Sequence, residues 1–385
     1  MKFSIKLISL ALVLAMIFAL CACGANTDGP AEPGETTTES DEREVKTKVA
    51  ALYGPTGMGL AKLKEDRAYG YEVEYYSDPQ EIVPLLVQGT VDIAALPINL
   101  AANLYKKTEG GIQILAVNTL GILHVLQKGE KTVKSIADLK GRTIYTSGEG
   151  TTAQYTLEYV LRQNGIEPGK DVELVYMSTH GELATKAASG DINLCILPEP
   201  FASKVIASTN PKIQQTNIGD LLSSLAEEQS SDEETGETAA EATTGETETT
   251  IDPEIEFPPE NRWKKALDIT EEWNKISDAQ LAFGCVVARK EYIDANPDII
   301  SEFMTFNEVS VNWVNSAVDA PYLLVEQGFF TDKDAAELAI PGCNIVFIEG
   351  EEMKTAVQAN FEILFAASPE SVGGSVPDEG IYYPG

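Results

Sequence analysis

Imidazole is scarce in this chain: His124 and His180 are the only two histidines. Acid–base chemistry near neutral pH therefore has few residues to draw on. Neither histidine stands in a pattern with a nucleophile and a carboxylate, so no triad is indicated. His180 closes the polar turn Tyr176-Met177-Ser178-Thr179-His180, where it reads as a hydrogen-bonding group at a cleft edge or as a plain turn residue. His124 lies in the alternating segment Gly121-Ile122-Leu123-His124-Val125-Leu126 and reads as a satisfied structural histidine. Cys195, Cys285 and Cys343 each sit in an apolar, strand-like run, as buried free thiols do. Three such residues cannot all pair with one another, and no disulfide framework is expected. No His/Cys cluster has zinc spacing. No catalytic residue, metal site or cofactor is expected.

What the chain does offer is hydrogen bonding at turns that end apolar strands. These turns are Tyr53–Gly57, Ser77-Asp78, Pro97–Asn99, Asn118-Thr119, Ser147–Thr152, Thr179-His180 and Pro198–Phe201. A polar turn that opens a helix presents free backbone N–H groups and the positive end of the helix dipole. Such turns accept anions or carbonyl oxygens. Ser147–Thr152 is not a Walker loop, because no Gly-Lys-Ser/Thr follows, and it lacks the third glycine of a dinucleotide fingerprint. The candidate ligand-binding residues are therefore Tyr53, Gly54, Thr56, Gly57, Ser77, Asn99, Asn118, Thr119, Ser147, Glu149, Thr151, Thr152, His180, Glu199 and Phe201. Each has a plainer alternative: the glycines shape turns, Asn99 caps its helix, and Glu199 caps a helix or faces solvent.

Alternating strands and helices must position these turns. Lys48–Tyr53 is a short apolar strand, followed by helical spacing over Met58–Glu65 with Thr56 as its expected N-cap. After the strand Tyr71–Tyr76, Asp78, Pro79 and Glu81 form a capping-box pattern, and the helix stops at Gly89. Strand Val91–Ala95 and a helix through Lys106 follow. This order implies a mainly parallel sheet covered by helices. The block then recurs: Glu81 to Gly89, Asp92-Ile93 and Leu96-Pro97 are echoed by Glu182 to Gly190, Asp191-Ile192 and Leu197-Pro198. Two lobes of similar topology are the expectation.

The net charge of −32 comes largely from two tracts that cannot bury a core, Gly24–Lys46 and Ser223–Pro259. Both should be disordered, the second as a surface insertion. A basic stripe is missing, which argues against nucleic acid. Lys2 and Lys6 precede the apolar run Leu7–Leu20, the pattern of a signal peptide.

Leu20-Cys21-Ala22-Cys23 resembles a bacterial lipobox, which implies that Cys23 is the first mature residue and carries lipid, a palmitate-bearing anchor. Further on, Leu52-Tyr53-Gly54-Pro55-Thr56-Gly57, Val91–Ala95, Ile136-Ala137-Asp138-Leu139-Lys140-Gly141, Leu197–Phe201 and Val287–Ile293 resemble a substrate-binding lipoprotein of a bacterial ABC importer. The resemblance is to the nitrate/sulfonate/taurine and thiamine-precursor binding group of the periplasmic-binding-protein superfamily. It implies an α/β, two-lobe periplasmic-binding-protein fold (type II), each lobe a mainly parallel sheet flanked by helices, joined by crossover strands.

The expected organisation is a signal peptide at 1–22, a lipidated tether at 23–46, lobe 1 at 47–135, lobe 2 at 136–284 with the acidic insertion 223–259, and a return to lobe 1 at 285–385. The implied function is capture of a small organic molecule between the lobes and delivery to an ABC permease subunit. The chain would act as a monomer, held by its lipid at the extracytoplasmic face of the cell membrane. The ligand stays open between an organic anion such as a sulfonate and a pyrimidine or amine. Two alternatives use the same cleft: a ligand-sensing partner of a membrane receptor, and an enzyme on the same fold.

Overall fold

In the first strand, successive side chains are divided between two apolar layers. Val49 and Ala51 of β1 (Thr47–Leu52) face one layer, with Leu60, Leu63 and Phe303, while Ala50 faces another, with Ile82, Leu86 and Phe361. A strand buried on both faces reads as a continuous apolar run, which is why Val-Ala-Ala suffices here. In the second lobe, Leu194 and Ile196 of β8 (Leu194–Pro198) meet Leu157 and Trp273, and Cys195 and Leu197 meet Leu183 and Trp263.

The computed structural model describes residues 47–209 and 259–385. The expected signal peptide, the Cys23 tether and, but for Pro259, the acidic insertion lie outside the described residues. The described chain falls within one compact unit, Glu42–Gly385.

Two sheets carry the fold. The other strands are β2 (Tyr71–Tyr76), β3 (Ile93–Pro97), β4 (Ile112–Leu120), β5 (Leu123–Lys128), β6 (Thr143–Ser147), β7 (Glu173–Met177), β9 (Trp263–Asp268), β10 (Ala282–Arg289) and β11 (Ile345–Ile348). The first sheet has six strands in the order β11-β4-β10-β3-β1-β2, and the second has five in the order β7-β6-β8-β5-β9. Within the first, β2-β1-β3 are parallel, and β10 enters antiparallel between β3 and β4. Within the second, β7-β6-β8 are parallel, and β5 enters antiparallel between β8 and β9. The two lobes thus repeat one topology, each receiving a reversed strand from the other. β10 and β5 run against their hosts, and β11 runs against β4, so the strands of both sheets are mostly, but not wholly, parallel.

This arrangement places β5 in the second sheet, where it pairs with β8 and β9. The chain therefore crosses over at Gly121-Ile122, ahead of the boundary at 135 read from the sequence. Pairing partners far along the chain decide which sheet β5 joins.

Local signals explain several elements. Asp78 and Glu81 form the full capping box on helix Pro79–Val87, and Gly89 leaves that block with φ 71°. Its echo, Gly190, ends helix His180–Ser189 in the left-handed region with φ 87°. Thr56 is not an N-cap. The short helix Pro55–Met58 begins one residue earlier, with Pro55 in its first turn and Gly54 at the cap. Gly54 has φ 112°, which favours glycine, and proline suits the first helical position.

Candidate ligand-binding site

The parallel strands of both sheets end at one cavity of about 130 Å³. Leu52–Thr56, Ser77 and Pro97 bring the ends of β1, β2 and β3 to it. Thr151–Ala153, His180, Pro198, Glu199 and Phe201 bring the ends of β6 and β8 and the segment beyond β7. The crossovers add Ile122 and Phe283 at its floor. Ligands of open α/β sheets lie in this position, beyond the carboxyl ends of strands. The cavity shares Ser77, Pro79, Thr151 and His180 with a wider mouth of about 490 Å³, which Asp78, Glu149 and Tyr176 also line.

Nine of the fifteen residues expected at the site line the inner cavity: Tyr53, Gly54, Thr56, Ser77, Thr151, Thr152, His180, Glu199 and Phe201. Glu149 lies at the mouth. The remaining five stand behind this lining. Asn118 donates from Nδ2 to the Thr56 carbonyl at 2.8 Å and accepts from Thr119 Oγ1 at 3.2 Å, so this pair props the Thr56 turn. A Cβ at Gly57 would overlap the Leu52 carbonyl oxygen, so glycine is needed there for close approach to β1. Ser147 Oγ lies 2.7 Å from His180 Nδ1.

Asn99 has a different task from the one its turn suggests. It is buried at the start of helix Ile98–Lys107. Its Nδ2 donates to the Gly150 carbonyl at 3.0 Å, and its Oδ1 accepts from Thr152 Oγ1 at 3.0 Å. Both partners belong to the second lobe, so Asn99 bridges the lobes directly beside the cavity.

Helix Thr152–Gln163 opens on the cavity with no side chain capping it. The Thr151 hydroxyl donates instead to the Gly148 carbonyl at 2.6 Å. The first N–H groups of this helix are thereby left for water or a ligand. His180 begins helix His180–Ser189, whose cap is Thr179. Its ring lies 5.5 Å from that of Phe201, and burial pushes its pKa down to about 4. At neutral pH it is a neutral imidazole with one donor and one acceptor nitrogen. Among the described residues no carboxylate orients the Ser147–His180 pair, and Ser147 is only 2 % exposed. The hydroxyl is placed to fix the ring rather than to attack a substrate.

Glu199 is fully buried, and its carboxylate is spoken for. Lys265 Nζ pairs with Oε1, Ser203 Oγ donates to Oε1 at 3.0 Å, and the Ser203 N–H donates to Oε2 at 3.0 Å. His124 Nε2 stands 3.6 Å from Oε1. Burial, with Lys265 adding to it, holds His124 below its usual pKa. Its Nδ1 has no hydrogen-bond partner and approaches Asp268 only to 3.6 Å. His124 is thus structural but not satisfied. Cys195, Cys285 and Cys343 are buried free thiols, and burial raises the pKa of each.

Sequence reasoning missed Ile122, Phe283 and Lys265. The first two are apolar residues in strand-like runs and carry the same signal as core positions. Their nearness to the crossover glycines Gly121 and Gly284 is the one local mark that sets them apart. Lys265 lies 66 residues from Glu199, and nothing in the sequence pairs them.

Polar turns of both lobes thus meet at one cavity. Residues 46–226 match the profile of a family described as ABC transporter, phosphonate, periplasmic substrate-binding protein. By this match the chain is similar to the substrate-binding proteins of ABC importers. Solved structures repeat its fold. An ABC transporter structure from Parabacteroides distasonis matches with a TM-score of 0.64 at 20% identity, covering 88% of this chain and 99% of that one. The periplasmic aliphatic sulphonate binding protein of Escherichia coli matches with a TM-score of 0.60 at 14% identity, covering 88% and 92%. The periplasmic nitrate-binding protein of Synechocystis PCC 6803 matches with a TM-score of 0.51 at 13% identity, covering 86% and 84%. No curated protein sequence matches the chain. The sensing and enzyme alternatives draw no support from these matches. Among the described residues, no helix is long and apolar enough to cross a membrane.

Proposed function

We propose that this chain captures one small organic molecule in the cavity between its lobes and releases it to an ABC permease, without turnover. The observation that carries the reading is the convergence of polar turns from both lobes on one cavity. Tyr53, Gly54, Thr56 and Ser77 come from one side, and Thr151, Thr152, His180 and Phe201 from the other. A cavity near 130 Å³ suits a ligand of about one aromatic ring, since an apolar cavity of roughly 150 Å³ holds benzene. The uncapped helix at Thr152 would meet an acceptor atom of the ligand, and Phe201 would cover its face.

The crossovers at Gly121-Ile122 and between Asp268 and Ala282 would act as the hinge. The Asn99 bridge to Gly150 and Thr152 would hold the closed form. In this reading Glu199 shapes the cavity wall through its Lys265 pair, and Glu149 faces incoming ligand at the mouth. Cys23 carries the lipid that keeps the chain, as a monomer, at the extracytoplasmic face of the cell membrane.

A thermal-shift screen over sulfonates, phosphonates, amines and pyrimidines tests the reading, because a ligand that binds only the folded state raises stability by mass action. The expected result is a hit that rises with ligand concentration and fails when Phe201 is replaced by Ala. A ligand that is chemically converted during the assay would contradict it.

A further inference from the structure

The charge around the cleft separates the ligands that could enter it, and this inference rests on the cleft being the binding site. Among the described residues, neither the cavity nor its mouth is lined by a lysine or an arginine. Lys265 is committed to Glu199, which cancels that carboxylate. Two exposed carboxylates remain at the mouth, Asp78 and Glu149. Asp78 accepts the Gln80 N–H at 2.8 Å as part of its cap, beside the opening. The one lining imidazole, His180, is neutral at pH 7 because of its burial.

Against these negative charges the site sets helix N-termini but no full cation: that of Thr152–Gln163, which has no side-chain cap, and those of Pro79–Val87 and His180–Ser189, which Asp78 and Thr179 already cap. A helix dipole is worth about half a positive charge, and it falls off within the first turn. A phosphonate or sulfonate entering here would lose its hydration with no cation to replace it, which is costly. The walls add to this. Phe201 and Phe283 line the cavity, and the faces of aromatic rings carry negative potential that attracts cations.

We propose that the cleft selects a flat, ring-sized organic molecule that is uncharged or singly positive, and discriminates against phosphonates and sulfonates. A ligand acceptor atom meets the helix N–H groups at Thr152, the ring lies against Phe201, and a donor or cationic group points to the mouth at Glu149.

A set of probes that share one ring and differ in charge tests this: benzamidine, benzamide, benzenesulfonate and phenylphosphonate, titrated by calorimetry into the full chain at low salt. Benzamidine and benzamide should bind at least tenfold tighter than either anion. Glu149→Gln should narrow the lead of benzamidine over benzamide, and added salt should do the same. Binding of phenylphosphonate or benzenesulfonate as tight as that of benzamide overturns the charge inference and leaves the cleft reading standing. If none of the four binds at millimolar concentration, the cleft reading itself falls, and the charge inference with it.

Discussion

His180 shows how burial sets the state of a site residue. An unfolded histidine takes its proton near pH 6.5, whereas the folded ring resists until about pH 4. Between those values the unfolded chain binds more protons, so stability falls as pH is lowered through the window and levels off below it. Urea denaturation at pH 7 and pH 4.5 should expose the term. The loss for the wild type should exceed that for His180→Gln by on the order of 1–3 kcal/mol. Equal losses in the two proteins would mean the ring is already free to charge. At this scale the sequence was readable in type but not in task. The polar turns did gather, and Asn99 was singled out, yet only the fold shows its carboxamide occupied by Gly150 and Thr152. A local pattern cannot tell a side chain that meets a ligand from one that meets the facing lobe.

At the scale of elements, the first turn couples β1 to the cavity. Gly57 packs so closely on β1 that a Cβ would overlap the Leu52 carbonyl, and a backbone atom cannot swing aside. Gly284 on β10 is also tight, with a Cβ 2.7 Å from Asn118 Oδ1 and 3.0 Å from Thr56 Oγ1, but those are side chains that can shift. Gly57→Ala should therefore cost roughly 2–3 kcal/mol in thermal or urea denaturation, and Gly284→Ala less. The reverse order would show that the Pro55–Met58 turn yields more readily than β10. The capping box at Asp78 and the stops at Gly89 and Gly190 were legible because their chemistry is local. The cap at Thr56 was misplaced by two residues, since Gly54 and Pro55 together start the helix earlier. The sheet that β5 joins was not legible, because pairing partners far along the chain decide it.

For the whole molecule, the repeat of helix, glycine, Asp-Ile, strand and Leu-Pro foretold two lobes, and the matching strand orders β2-β1-β3-β10-β4 and β7-β6-β8-β5-β9 show how far the likeness runs. The N-terminal anchor belongs to this scale too. Cys23→Ser should release the protein from the membrane fraction into the soluble extracytoplasmic fraction, read by fractionation and blotting. A pellet signal equal to wild type would remove Cys23 as the anchor. The central claim is that one molecule is held by both lobes at once, and a paired calorimetric titration tests it most directly. With the tightest ligand found, Thr56→Val tests the first lobe and Phe201→Ala the second. Losing a hydrogen bond or a buried face should weaken binding roughly tenfold in each case, with one ligand bound per chain. Weakening by only one of the two substitutions would place the ligand on a single lobe and contradict the account.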